Sequence, residues 1–181
     1  YLALAVSLAF RLLNVFALAD DPFSGNPLAV IEDASGLDDA ALLAIATLAF
    51  GVATVLALTR ELGVRFAFVA EKQLPQAQVL AMADRDNPKQ PYFYDHERTP
   101  CRGVMLGEVV SIPCQVSDLY PSETGLEAYL GVPLPGSQGE VLGVLALMDE
   151  RPLAQTEALQ ALLEALAPRI AAELECVQLR R

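Results

Sequence analysis

Two apolar runs held apart by a short turn-forming segment constrain this chain more than any other stretch of it. Leu130–Leu134 is followed by Pro135-Gly136-Ser137-Gln138-Gly139 and then by Glu140–Met148. Apolar runs joined by about five turn residues that include Gly form a β-hairpin. On the second strand Val141, Gly143, Leu145 and Leu147 fall on one face, and Leu142, Val144, Ala146 and Met148 on the other. With both faces apolar, the hairpin belongs in the middle of a sheet covered on both sides. A helix end carrying Glu127 and Tyr129 is expected to deliver the chain into it.

A chain of 181 residues is long enough for one domain with a sizeable core, or for a domain with an appendage. Its net charge of -11 and pI near 4.4 exclude nucleic acid as a partner, because phosphate contacts need clustered Lys and Arg. Cys101, Cys114 and Cys176, with His96 as the single histidine, match neither a disulfide framework nor a common zinc spacing. A reducing cytoplasm is the expected setting. Hydrophobic residues make up 54% of the chain, so a membrane has to be considered. The uncharged stretch Ala40–Leu58 has the length of a span, but it is rich in alanine and holds Thr47, Gly51 and Thr54. We read it as a buried core helix, with a membrane-anchored sensor as an alternative. Residues 1–10 are apolar, stop at Arg11 and start without Met or a basic flank, which suits a strand better than a secretory signal.

Asp38 and Asp39 mark the start of a long helix, as N-cap and as a charge suited to its positive end, and Gly63 marks its stop after Leu62. Val64–Ala70 and Gln76–Ala83 read as strands, Asp84–Pro91 as a polar loop, Pro91–Tyr94 as a short aromatic strand, and His96-Glu97-Arg98 as exposed. Thr99-Pro100 reads as N-cap and first helical position, which puts Cys101 in the first turn of a short helix ending near Leu106. Glu108–Ile112 is a further strand, Cys114–Ser122 a loop, and Ser122–Gly125 the start of a short helix before the hairpin. The last helix, from Leu153 or Thr156, repeats Leu159, Leu162, Leu163, Leu166, Ile170 and Leu174 at three- and four-residue spacing, with Pro168 expected to kink it.

Tyr129-Leu130-Gly131-Val132-Pro133-Leu134, a polar turn, and then Gly139–Asp149 resemble the central hairpin of GAF domains, small-molecule-sensing and dimerising modules of signalling proteins. The resemblance runs back through Leu62–Glu71, similar to that family's first strand, takes in Tyr94-Asp95 and Thr99-Pro100-Cys101, and ends in the helix carrying Ala171–Glu175. It covers residues 55–177. It implies an α/β (α+β) fold: a central antiparallel sheet with helices on both faces, the long first helix and the last helix sharing one of them and a ligand pocket on the other. The implied function is a small-molecule-sensing or dimerisation module of a bacterial signal-transduction protein.

The stretch before it differs. Phe10–Phe16, then Asp21-Pro22-Phe23-Ser24-Gly25-Asn26-Pro27-Leu28-Ala29-Val30-Ile31, then Gly36–Asp39, resemble the N-terminal segment of phenazine-biosynthesis-type isomerases, relatives of diaminopimelate epimerase. The resemblance implies a strand-turn-strand-helix appendage. That family's catalytic glutamate follows the helix, and Leu48-Ala49-Phe50-Gly51-Val52-Ala53-Thr54 holds no acid there to move a proton. The expected organisation is a truncated isomerase-like segment over 1–46 fused to a GAF-like sensor domain over 47–181. A degenerate isomerase lacking its glutamate is the alternative from another class.

In the GAF family ligands lie between the sheet and the segment corresponding to residues 93–129. Tyr92, Phe93 and Tyr94, with Tyr120, Tyr129 and Met148, can line an apolar pocket with a few polar handles, and the ligand-binding residues this implies are Phe93, Tyr94, Cys101, Cys114, Tyr120, Tyr129 and Met148. At a helix N-terminus beside Arg102, a Cys101 thiolate would be favoured, which suits redox sensing or covalent attachment of a ligand. The attachment cysteine of bilin-binding GAF relatives is followed by His, where this chain has Arg102, so a structural cysteine tucked under the helix is the preferred reading. His96, Cys101 and Cys114 are too unevenly spaced for a metal site. Asn87, Lys89, Phe93, Asp95 and Glu97 follow the order, but not the spacing, of the cyclic-nucleotide signature of some GAF domains. No Gly-rich phosphate loop and no Ser-His-Asp set occurs, so no catalytic residue, metal or particular cofactor is assigned. The expected partner is an unidentified small molecule. The last helix either pairs with its twin in a homodimer or applies its apolar stripe to its own sheet.

Overall fold

The structure, a computed structural model, describes residues 10–15, 26–31 and 39–179. Strands β1 (Phe10–Val15) and β2 (Asn26–Ile31) form an antiparallel pair in which Phe10 faces Ile31 and Val15 faces Asn26. The long helix α1 (Asp39–Leu62) follows, as the sequence pattern requires; Asp38, its expected cap, lies outside the described residues. The helix stops at Gly63, whose φ of 65° is the left-handed conformation that closes helices. Among the described residues no helix is long and apolar enough to cross a membrane.

The main sheet is built from β3 (Phe66–Gln73), β4 (Gln76–Asp84), β5 (Asn87–Lys89), β6 (Tyr92–Tyr94), β7 (Val110–Ile112), β8 (Ala128–Pro135) and β9 (Val141–Asp149), all pairing antiparallel. Their order is β5-β4-β3-β9-β8-β7, with β6 also paired to β4. The hairpin β8–β9 therefore occupies the centre, as its two apolar faces demand. One face departs from simple alternation. Leu134 pairs with Gly143 and Pro135 with Val141, so Leu142 is the extra residue of a bulge and turns to the face of Leu145 and Leu147.

Helices α1 and α4 (Thr156–Gln178) cover one face. There Val55, Leu58, Leu163, Ile170 and Leu174 pack against Val69, Leu130, Leu145 and Leu147. Each Leu buried completely in this way contributes about 1.5–3 kcal/mol. The helix α4 runs unbroken through Pro168. The other face carries α2 (Cys101–Met105) and the single turn α3 (Val116–Leu119), whose Cys101, Val104, Met105 and Val116 pack on Phe68, Val79, Tyr129, Val144 and Ala146. Adjacent residues of β3 reach both layers: Lys72 Nζ donates to the Met105 carbonyl at 2.9 Å, while a Glu71 carboxylate oxygen accepts from Gln178 Nε2 at 2.7 Å.

Several local expectations are corrected. The strand expected from Val64 begins at Phe66, because the Arg65 N–H is taken by the buried Asp149 carboxylate at 2.9 Å. The expected loop at Asp84–Pro91 contains β5: Arg85, at φ 55°, turns the chain so that Asp84 pairs with Asn87. The strand expected from Glu108 begins at Val110, and the expected loop at Cys114–Ser122 contains α3. No helix forms at Ser122–Gly125. Separate turns close there instead, the Glu123 N–H donating to Tyr120 O at 2.9 Å and the Leu126 N–H to Glu123 O at 3.1 Å. Strand β8 then begins at Ala128, so Tyr129 is a strand residue rather than a helix end.

Candidate functional site

Alternation along a three-residue strand selects the first wall of the site. Tyr92 pairs with Val79 and Tyr94 with Ala77, which sets both rings on the α2 side of the sheet, while the intervening Phe93 turns away and is 54% exposed. The two tyrosine rings stand with centroids 6.3 Å apart and planes tilted by 56°. A second wall comes from β8, where Tyr129 is fully enclosed and its hydroxyl donates to Cys101 Sγ at 3.3 Å. That ring lies along its own strand over Gly131. A Cβ at Gly131 would collide with the Tyr129 ring and hydroxyl, so only glycine leaves the ring its place.

The roof is the approach to α2. Thr99 does not cap the helix with its side chain; its hydroxyl donates back to the His96 carbonyl at 2.9 Å, and its own carbonyl accepts the Arg102 N–H at 3.2 Å. His96, expected to be exposed, is 3% exposed, and its Nδ1 has no hydrogen-bond partner. Between these walls lies a cavity of about 200 Å³. Phe68, Val79 and Met148 form its apolar floor, and Asp95 and Glu123 stand at its polar side.

Of the sequence-based candidates, Tyr94, Cys101, Tyr129 and Met148 are brought together around this cavity. Phe93, Cys114 and Tyr120 are not. Phe93 has the wrong parity on β6, Cys114 is exposed beyond β7, and Tyr120 is half-buried outside the lining, its carbonyl engaged in the turn before Glu123. Tyr92, read from the sequence with Phe93 and Tyr94 as pocket lining, does line the cavity, whereas sequence reasoning missed Phe68, Val79, Asp95, Thr99, Pro100 and Glu123. The alternation of a short strand is a usable signal that Tyr92 and Tyr94, but not Phe93, share the cavity face; no sequence signal marks Glu123, which sits among helix-start residues.

Burial sets the electrostatics. It pushes the Cys101 thiol above its ordinary value despite the Tyr129 hydrogen bond, so this thiol stays neutral rather than poised as a thiolate. The Tyr92, Tyr94 and Tyr129 hydroxyls are likewise raised, chiefly by burial and in part by the negative charge of Glu123. Burial also raises Glu123 itself, and that carboxylate has no salt bridge among the described residues. The Tyr94 hydroxyl is buried beside the Cys101 sulfur, a weak acceptor that adds to its rise, and it makes no well-formed hydrogen bond. Among the described residues no three His, Cys, Asp or Glu side chains cluster as metal ligands.

A larger hollow of about 560 Å³ opens where β9 ends and β3 begins, lined by Arg60, Arg65, Arg85 and Arg151. Its cations are already matched. Arg60 pairs with Asp86 at 2.5 Å, Arg65 with Asp84 at 3.2 Å and with Glu150, and Arg151 with Asp149 at 3.2 Å. Burial tends to raise Asp84, but Arg65 and Lys89 hold it below the ordinary carboxylate range. Such an internally neutralised cluster closes the end of the sheet and leaves little field for an anion.

The sheet order, the helices on its two faces and the cavity under α2 can be set beside known proteins. The family model for the GAF domain matches residues 28–174. The chain belongs to the GAF family. Among solved structures, this GAF domain is similar to that of an Acinetobacter phosphoenolpyruvate-protein phosphotransferase, with 13% identity, a TM-score of 0.59, and 73% of this chain and 84% of that one covered. It is similar to the type II free methionine-R-sulfoxide reductase of Thermoplasma acidophilum, with 14% identity, a TM-score of 0.62, and coverage of 73% and 94%. It is also similar to a far-red absorbing dark-state protein with bound biliverdin, with 8% identity, a TM-score of 0.60, and coverage of 73% and 91%. Identities this low establish a shared fold and nothing finer. A comparison with curated proteins gives no match.

Proposed function

We propose that this GAF domain is a sensory module that holds a small molecule in the cavity between the sheet and the 92–129 segment, and that occupancy alters the seating of α2. One observation carries the reading: a cavity walled by tyrosines in which the Tyr94 hydroxyl is buried and unpartnered. Buried polar groups in folded proteins are nearly always satisfied, so an unpartnered hydroxyl on a ring that lines a cavity is one that a ligand can satisfy. At about 200 Å³ the cavity lies below the 300–1,000 Å³ usual for drug-sized ligands, so the ligand is of amino-acid or small-aromatic size and not a tetrapyrrole. The neutral Cys101 thiol supports a binding role over thiolate chemistry.

The finer setting belongs to the same proposal: a cytoplasmic signalling protein of bacterial type, in which residues 1–46 are a fused isomerase-like piece that runs into α1, and α1 serves the GAF sheet. Assembly as a homodimer through α4 draws on Leu159, Leu162 and Leu166, which are only partly buried against their own core. Native mass spectrometry of the gently purified chain reports bound molecules and subunit number together. A retained small molecule in the wild type that is lost in Val79→Phe, which fills the cavity floor, supports the reading. A molecule retained equally in that variant overturns it, and a monomer overturns the dimer.

A further inference from the structure

The charges and rings around the cavity are one-sided. Its lining holds four aromatic rings, Phe68, Tyr92, Tyr94 and Tyr129, and two carboxylates, Asp95 and Glu123, but no Arg, Lys or His. The negative faces of aromatic rings attract cations within about 6 Å of their centroids. Tyr92 and Tyr94, 6.3 Å apart and tilted, are spaced so that one group can sit within that reach of both. The basic residues nearest in sequence are engaged elsewhere or exposed: Arg102 pairs with Glu97 at 3.1 Å, and Arg98 is exposed. An anionic ligand would meet two carboxylates and no counter-charge, whereas a cation would find π faces and an acid together.

We propose that the cavity selects a small organic ammonium cation, held against the rings of Tyr92 and Tyr94 with its charge balanced by Glu123. The inference rests on the sensory reading above and names the chemical class that the same cavity takes. Glu123 has no salt-bridge partner among the described residues, so the ligand supplies the missing positive charge. The Tyr94 hydroxyl, without a partner in the protein, is left to serve a polar substituent of the same ligand. The acidic balance of the whole chain, -11, works in the same direction by enriching cations near its surface.

The test compares choline with the uncharged alcohol in which a quaternary carbon replaces its nitrogen. Binding to the full chain is read by isothermal titration or by ligand-observed NMR. Choline is expected to bind at least tenfold more tightly than the isostere, and Glu123→Gln to erase that preference. Glu123 is only partly buried and packs in a turn, so this variant keeps the fold; circular dichroism checks that it does. Equal binding of both probes to the wild type, abolished by Val79→Phe, overturns the cation assignment and leaves the pocket standing. A choline preference that survives Glu123→Gln overturns the role of Glu123. Binding of both probes unchanged by Val79→Phe overturns the cavity as the site, and with it the sensory reading. Binding of neither probe overturns the cation class; the mass spectrometry of the native chain then decides the sensory reading by itself.

Discussion

Tyr94→Phe removes a single oxygen from the cavity wall and leaves the ring in place. In the ligand-free protein that oxygen is buried without a hydrogen-bond partner. An unsatisfied buried hydroxyl costs about 1–3 kcal/mol, so its removal should stabilise the empty domain, by about 1–2 kcal/mol if some of the cost is relieved by relaxation. For a chain of this size such a gain raises Tm by about 2–8 °C. The same oxygen is the one the ligand would satisfy, so the variant should bind more weakly, by about 0.5–1.5 kcal/mol or roughly 2- to 13-fold in affinity. The assay is urea unfolding of protein stripped of small molecules, read as a change in midpoint at constant slope, followed by the same titration with bound ligand. Two curves crossing, the variant more stable when empty and less stable when loaded, is the expected pattern. A Tyr94→Phe protein that unfolds at lower urea when empty would refute the reasoning, because the hydroxyl would then have a partner within the fold.

Gly131→Ala sets a methyl group against the Tyr129 ring and hydroxyl. With that ring enclosed on all sides, the overpacking should destabilise the domain by about 1–3 kcal/mol, seen as a lower urea midpoint, and Tyr129→Phe made alongside should recover part of the loss. The cysteines should separate by reactivity. Cys114 and Cys176 are exposed and should alkylate quickly near pH 8, while Cys101, buried with its thiol pushed up, should remain unmodified until the domain unfolds, as intact-mass measurement will show. Because the folded-state value is the higher one, Cys101 stabilises the fold at neutral pH and this contribution fades as the pH rises above the ordinary thiol range.

The parts of this fold legible in the residues are those governed by periodicity. Leu130–Leu134 and Glu140–Met148 are apolar on both faces, so the central hairpin followed directly, and Leu163, Ile170 and Leu174 lie on the buried stripe of α4 as their spacing requires. What escaped was fixed by tertiary neighbours. His96 reads as polar and exposed but is covered by packing, and Ser122–Gly125 carries helix-start residues yet closes into turns that bring Glu123 to the cavity. At the site, Tyr94, Cys101, Tyr129 and Met148 were legible because they lie on the strands and helix that enclose the cavity. Tyr92, Phe93 and Tyr94 are all aromatic, so residue type does not separate them; a strand of three residues offers only its first and last to one face, which leaves Phe93 outside. Leu142 shows the opposite lesson: strict alternation misplaces it, because a bulge at Leu134 and Pro135 inserts a residue that no sequence cue announced.

The paired hydrogen bonds of β3 make that strand a crossbar. Lys72 grips the carbonyl end of α2, whose first turn roofs the cavity, and Glu71 grips the last turn of α4 across the sheet. Because side chains next to each other on a strand leave by opposite faces, these two grips share one peptide unit and no flexible linker lies between them. A tilt of α2 over an incoming molecule would load that peptide like the beam of a balance, and the tail of α4, where the described chain ends, is the pan on the other side.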